Sequence, residues 1–409
     1  MNRTDGYHPN KEFADSILQE AGQKMFGVAD VVRLCLIALY TNGHILLEGN
    51  PGLGKTELVK TLSNILTLPY RRIQFTPDLM PADITGTLGP SKDNPRELTF
   101  QPGPIFTSLL LADEINRATP KTQAAMLEAM AERQVTVVGE THMLGQYDFK
   151  PFLGQDGNPI APNAKRPFMV MATQNPIDHE GTFDLPEAQA DRFMFKILMP
   201  IPLRDDLSKI LIKTAGLLDR EIIEPEDHHE PPARYKLSHD QSVALYLGTQ
   251  QRIRDVPPIP ALHTHILNLF LATNRRIDEI DTISRSEKKK LKEEIIPNIR
   301  YGLGPRALTT LMLGAKAWTF LFDVGAEKAD AQALARVLVP ALRHRMHLQY
   351  GWDATYKENG AAKVDPERHM DLFIEELAKS TAPTQSRVGE GYRNTFEAAL
   401  NDAITRQVY

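Results

Sequence analysis

The octapeptide Gly49-Asn50-Pro51-Gly52-Leu53-Gly54-Lys55-Thr56 carries glycine, lysine and threonine at the spacing G-x-x-x-x-G-K-[ST]. That spacing does phosphate chemistry. Glycines let backbone N–H groups turn inward onto phosphate oxygens, and the positive end of the following helix points at the same anion. Lys55 is placed to reach the β- and γ-phosphates of ATP and the Thr56 hydroxyl to bind Mg²⁺, with Glu57 next on the helix. A second acidic feature bears on the fate of the phosphate. Leu109-Leu110-Leu111-Ala112-Asp113-Glu114 ends an apolar run on two carboxylates. Asp113 can hold the Mg²⁺ shell, and Glu114 can orient or deprotonate a water. A small-molecule kinase has no need of the second acid, because its substrate hydroxyl attacks; the pair therefore predicts hydrolysis.

These residues need a strand, a loop and a helix to hold them. The short apolar run His44–Leu47 precedes the glycines, and residues 55–66 place Leu58, Val59, Leu62, Ile65 and Leu66 on one helical face. Further strands are predicted at 71–75, 109–112, 134–140, 168–173 and 193–199. They alternate with helices at 11–26, 28–41, 120–133 and 186–192. Such alternation implies an α/β fold, a parallel sheet covered on both faces. The stretch 76–104, rich in Pro, Gly, Asp and Thr, is too long for an idle loop. From residue 203 the pattern turns helical. The expected division is a nucleotide-binding core over 1–202, a linker over 203–235 containing EPEDHHEPPARY, an all-α lid over 236–351 and a polar, partly helical extension over 352–409.

Composition sets the outer bounds. A chain of 409 residues with 42% hydrophobic and 24% charged residues is an ordinary globular protein of two or three domains. The net charge of −5 offers no global field for nucleic acid or an anionic membrane. Cys35, the single cysteine, removes any disulfide framework within the chain and reads as a small buried hydrophobe. The polar N-terminus lacks the apolar core of a signal peptide. The apolar runs Val31–Tyr40 and Ala307–Phe322 contain Arg33 and Lys316 and read as amphipathic helices, so a cytoplasmic chain without membrane insertion is expected. His344 and His347, in LRHRMHL, have helical spacing, but Arg343 and Arg345 beside them favour a solvated basic helix face over a metal clamp. The charged run SRSEKKKLKEE (284–294) likewise reads as a solvated face.

Longer stretches carry a resemblance. LLLADEINRATPKTQAAMLEAMAERQVTVVGET (109–141), MATQNPIDHEGTFDLPEAQADRF (171–193), QFTPDLMPADITGTLG (74–89) and QPGPIF (101–106) resemble the MoxR family of AAA+ ATPases, over about residues 20–350. The resemblance implies an AAA+ P-loop αβα domain, a small helical lid and a homo-oligomeric, hexameric ring with ATP between subunits. It implies that Asn175 is the sensor-1 amide, Arg192 the arginine finger offered to a neighbouring subunit, and Arg306 the sensor-2 arginine. Phe26-Gly27-Val28 resembles the segment lining the adenine pocket. Other readings stand beside these: Asn175 as a turn before Pro176, Arg192 paired with Asp184 or Glu187, and Arg306 at the surface. Residues 76–104 would be the helix-2 insert, and 134–167 the hairpin before sensor 1. Within the latter, 146–166 looks added relative to the family, as does the charged 279–298 segment of the lid. The implied partner is a client or adaptor protein, often one with a von Willebrand factor A domain. The alternatives are a nucleic-acid-translocating motor or a metal-chelatase motor subunit. The hairpin region carries Lys150, Lys165 and Arg166 against Glu140, Asp148 and Asp156, a near balance that favours protein over nucleic acid.

Overall fold

The structure, a computed structural model, describes residues 11–91, 94–144, 167–175, 182–214, 239–323, 325–349, 366–384 and 391–405. The linker composition at 224–235 and the added segment 146–166 lie outside the described residues. The chain divides into two compact units, Met1–Arg192 with Ile197–Gln251, and Phe193–Lys196 with Arg252–Tyr409.

In the first unit α1 (Lys11–Lys24) and α2 (Ala29–Tyr40) lead into β1 (Ile45–Glu48), α3 (Lys55–Leu66) and β2 (Tyr70–Gln74). A short α4 (Pro81–Thr85) and the hairpin β3 (Gly86–Pro90) and β4 (Leu98–Pro102) fill most of the Pro/Gly-rich stretch. Then come β5 (Leu109–Asp113), α5 (Pro120–Glu132), a second hairpin of β6 (Gln134–Val137) and β7 (Glu140–Met143), β8 (Met169–Gln174), α6 (Glu187–Ala190) and β9 (Phe195–Leu198), of which Ile197 and Leu198 fall in this unit. The main sheet has the order β2-β5-β8-β1-β9. Parallel pairing joins β2 to β5, β5 to β8 and β8 to β1. Strands β1 and β5 are buried at every position, as a sheet covered on both faces requires. Helix α2 is likewise buried from Val31 to Tyr40 except at Arg33, and Cys35 is 1% exposed. It is therefore a core helix rather than an amphipathic surface one, and burial pushes the Cys35 thiol far up.

His44 ties the sheet together from inside. Its Nδ1 accepts the Val170 N–H at 3.0 Å, so Nε2 carries the proton toward the Met130 carbonyl at 3.3 Å. Burial, with Arg133 nearby, lowers its pKa to about 3. The two hairpins meet: the His142 ring stacks on Phe100 with centroids 3.9 Å apart, and Phe106 approaches both rings edge-on. α7 (Arg204–Thr214) and most of α8 (His239–Asp255) complete this unit. The expected lid start at 236 is thus displaced. Tyr246 and Gln250 of α8 both donate to the Asn42 side-chain oxygen, at 2.7 and 2.9 Å, and bind residues up to 251 to the first unit.

The second unit contains α9 (Pro260–Thr273), α10 (Arg285–Lys290), β10 (Ile299–Tyr301), α11 (Pro305–Phe322), α12 (Ala331–Leu342), β11 (His347–Leu348), α13 (Pro366–Thr381) and α14 (Tyr392–Thr405). The last two helices correct the reading of 352–409 as an extension. Phe373, Ile374, Leu377, Phe396, Leu400 and Ala403 are all at most 3% exposed, so these helices complete the unit's core. α9 also closes the end of α13: His265 Nε2 bonds the Ala378 carbonyl at 2.9 Å and Asn268 donates to the Thr381 carbonyl at 2.8 Å. No backbone N–H further along the helix reaches carbonyls of the last turn, and the Thr381 hydroxyl shares the Ala378 carbonyl with His265 at 3.1 Å. The basic face predicted at 343–345 is also corrected. Arg343, His344 and Arg345 follow the end of α12 and are 6–8% exposed. Arg343 forms a two-nitrogen pair with Asp371 of α13, at 2.7 and 2.6 Å, and also donates to the Lys196 carbonyl. His344 bonds the Phe193 carbonyl. Among the described residues no His/Cys/Asp/Glu group is arranged to hold a metal ion. Within the charged 284–294 run only Leu291 is buried, and Ser284 caps α10 reciprocally with Glu287, so the run is a solvated face as expected.

Candidate nucleotide site

Between β1 and α3 the chain must reverse around an anion-sized space. Gly52 and Gly54 take φ of 88° and 78°, which side chains with a Cβ seldom adopt, and Gly54 is the residue just before α3. A Cβ on Gly54 would also meet the Met25 methyl at 3.3 Å, so the loop passes close to the segment carrying Phe26-Gly27-Val28. Lys55, the first residue of α3, folds over the loop and donates to the Gly49 carbonyl at 2.6 Å. Burial pulls its pKa down, and the carboxylates of Asp113, Glu114 and Glu48 oppose that pull.

The loop forms one wall of a cavity of about 380 Å³. Its lining takes Pro51, Gly52, Gly54, Lys55, Thr56 and Glu57 from one side and Asp113, Glu114 and Asn175 from the other. The sheet explains why three sequence-distant residues converge. Ala112 lies opposite Ala172 in the β5–β8 pair, so Asp113 and Thr173 follow side by side at the ends of these strands, and Asn175 projects two residues later. Thr173 Oγ1 donates to Asp113 Oδ1 at 2.6 Å and accepts the Glu114 N–H at 2.8 Å. Glu114 sits in the left-handed region, at φ 57°, an uncommon conformation for a residue with a side chain. It is held there by further contacts. Gln74 donates to Glu114 Oε2 at 2.7 Å, and the Arg117 guanidinium lies 3.2 Å from the same oxygen. Arg72 reaches Asp113 Oδ2 with two nitrogens, at 3.1 and 2.6 Å.

The site therefore brings together the loop, Asp113, Glu114 and Asn175. Arg192 is not among the lining residues; it donates to the Leu127 carbonyl of α5 rather than pairing with Asp184 or Glu187. Arg306 is exposed in the first turn of α11, behind Pro305, and belongs to the second unit. Phe26, Gly27 and Val28 are not in the lining either. Phe26 and Gly27 lie against α7, with Lys209 Nζ 5.7 Å from the Phe26 ring centroid and Asp206 Oδ2 3.1 Å from where a Gly27 Cβ would stand. Sequence reasoning missed Arg72, Gln74 and Thr173. Thr173 was within reach, since the period of two that places Asn175 at the strand end places Thr173 on the same face.

Comparison with known proteins identifies the family. Residues 44–163 and 158–195 match the profile of the ATPase family associated with various cellular activities (AAA). Chaperone MoxR1 of Mycobacterium tuberculosis is 31% identical over 380 residues, 93% of this chain and 86% of that protein. The chain belongs to the MoxR family of AAA+ ATPases. Protein MoxR of Paracoccus denitrificans is 27% identical over 83% of the chain, and YeaC of Bacillus subtilis is 33% identical over 81%. A crystal structure of a candidate ATPase from Cytophaga hutchinsonii superposes with a TM-score of 0.66 at 28% identity, covering 89% of this chain and 94% of that one. The MoxR-family chain is an ATP-hydrolysing enzyme, with an α/β AAA+ domain followed by a helical C-terminal part, and its family membership implies nucleotide binding. Among the described residues no helix is long and apolar enough to cross a membrane.

Proposed function

We propose that this MoxR-family ATPase hydrolyses ATP at the subunit interfaces of a hexameric homo-oligomeric ring in the cytoplasm and uses the cycle to remodel or activate a client protein. The observation that carries the reading is the convergence of Lys55, Thr56, Asp113, Glu114 and Asn175 on one cavity. In this reading Lys55 holds the β- and γ-phosphates, Glu114 orients and deprotonates the attacking water, and Asn175 fixes that water or the γ-phosphate. The Thr56 hydroxyl and Asp113 carboxylate, hard oxygen donors on that cavity, fit Mg²⁺ and would hold it. Mg²⁺ bound there would offset charge on the phosphate oxygens.

Arg192 does not line its own chain's cavity, which leaves it to act toward a neighbour's nucleotide, and Arg306 would report nucleotide state to the lid. The exposed apolar stripe Leu203, Leu207 and Leu211, at 60%, 44% and 68% exposure and one-turn spacing, supports burial against a second copy. A protein client is favoured by the joined hairpins, whose stacked His142 and Phe100 make the two inserts one body with Met80, Leu98 and Val138 exposed on it. A partner with a von Willebrand factor A domain would present a metal-dependent site for a carboxylate. The test is capture with Glu114→Gln. The variant is expected to bind ATP without turning it over and to retain a protein partner on an affinity column. Stimulation of wild-type turnover by DNA, with no protein retained, would reverse the client assignment.

A further inference from the structure

Arg72 belongs to no motif, yet it touches the acid expected to face Mg²⁺. Tyr70, Arg72 and Gln74 share one face of β2, the strand at the end of the sheet order. In the β2–β5 pair Gln74 lies opposite Asp113 and Arg72 opposite Leu111. Arg72 must therefore lean forward along the strand to reach the carboxylate, and it does so with two nitrogens on the single oxygen Oδ2. One of those nitrogens also donates to Gln74 Oε1 at 2.7 Å. The other carboxylate oxygen takes the Thr173 hydroxyl. Both oxygens of Asp113 thus carry a donor from the chain itself.

The two donors differ in what they tolerate. The Thr173 hydroxyl is neutral and can stay beside a bound cation. The Arg72 guanidinium is a fixed positive charge on the oxygen that a hydrated divalent cation would share, and like charges a few Å apart repel strongly at the partly screened rim of a protein. Asp113 is 12% exposed by side chain and pinned by Thr173, whereas Arg72 is 48% exposed. The arginine has solvent to swing into; the aspartate does not. Without a cation, the same guanidinium offsets the repulsion between the adjacent carboxylates Asp113 and Glu114.

We propose that Arg72 is a displaceable counter-cation for Asp113: it holds the carboxylate in place until a Mg²⁺–nucleotide arrives, then yields, and so sets the Mg²⁺ concentration at which the site loads. The proposal rests on the nucleotide reading of the cavity. It makes Arg72 a positioning residue.

The experiment titrates Mg²⁺ against the fluorescence of N-methylanthraniloyl-ADP bound to the full chain, in wild type and Arg72→Gln. The Mg²⁺ midpoint is expected to fall about three- to fivefold in the variant, the range a half-exposed ion pair supports. Affinity for the probe in EDTA should stay the same. Thermal melting supplies the second readout: the variant should melt below wild type without nucleotide, and the deficit should close in saturating Mg²⁺–ADP. An ion pair with only a structural role would leave the same deficit in both conditions. Arg72→Lys, which keeps the charge, should return the midpoint most of the way to wild type, and Arg72→Met, which removes the charge but keeps an unbranched stem, serves if Arg72→Gln fails to fold. An unchanged or raised midpoint, or a melting deficit that persists with nucleotide, overturns the proposal. Wild type that fails to bind the probe at any Mg²⁺ concentration overturns the nucleotide reading along with it.

Discussion

The cavity rim of the first unit and the polar core of the second use the same side-chain types for opposite ends. At the rim, an arginine meets an aspartate whose neighbour, Glu114, sits at an uncommon φ, and the partners Arg72, Gln74 and Arg117 are reachable by solvent. In the second unit, Arg343 meets Asp371 with both side chains under 10% exposed, and His265 and Asn268 take up the Ala378 and Thr381 carbonyls at the end of a helix. A half-exposed pair can be exchanged for a ligand at small cost. A buried pair cannot, because breaking it strands a charge in a medium that does not solvate it. The comparison teaches that polar density alone does not mark a site. Solvent access, backbone strain and a cavity do.

Substitutions can break or sharpen that contrast. The largest effect is expected for Glu114→Gln, which should lower turnover by about 10²–10⁴ while leaving the melting temperature close to wild type. A steady-state ATPase assay beside calorimetry checks it, and a large loss of stability would place Glu114 with the buried class. A sharper form mixes Arg192→Ala with Lys55→Ala subunits: recovered hydrolysis in mixed assemblies is expected if Arg192 serves a neighbouring site, and no recovery in demonstrably mixed assemblies removes that assignment. Next in size, Arg343→Met should cost about 3–5 kcal/mol in denaturant unfolding, because it leaves Asp371 charged and unpartnered. A cost under 1 kcal/mol would show the pair to be as dispensable as one at the rim.

Glu375 gives a pH-dependent test. It is buried on α13 among Asp371, Lys379 and Arg368, and burial raises its pKa to about 7. The folded state thus holds a proton that the unfolded state releases near pH 4.5. Its contribution to stability should fall as pH rises from about 4.5 to 7, and the whole penalty should be in place above 7. Glu375→Gln should therefore stabilise the chain at pH 8 by on the order of 1–3 kcal/mol and by almost nothing at pH 4; an equal gain at both values would contradict the assignment. The smallest effect belongs to the hairpin turn of β6 and β7. Val138 has φ 50° and Gly139 φ 84°, a turn that prefers Asn before Gly, yet the first position is a β-branched residue 78% exposed. Val138→Asn should raise stability by about 0.5–1 kcal/mol. If it also weakens capture of a client by Glu114→Gln, the strained valine belongs with the functional rim.

The residues that must touch a phosphate could be read from the chain, because Gly52, Gly54, Lys55 and Thr56 act through spacing along a single turn. The same holds for Asp113 and Glu114, which follow an apolar strand directly. The alternation of strands and helices likewise announced a parallel sheet, since period and length are local properties. What the chain could not announce is which strands become neighbours. Only the order β2-β5-β8 puts Arg72 and Gln74 beside one acidic pair and Thr173 beneath it, and residues so far apart in sequence carry no spacing rule. Nor could charge reveal its own burial. LRHRMHL reads as a wet face until Asp371 and the carbonyls of 193–196 are brought to it, and a polar tail reads as an appendage until α13 and α14 close the core. Local pattern determined the chemistry of the loop and the acids. Tertiary contact decided which charges remain free to meet a ligand, because solvation and partner choice are properties of the assembled fold.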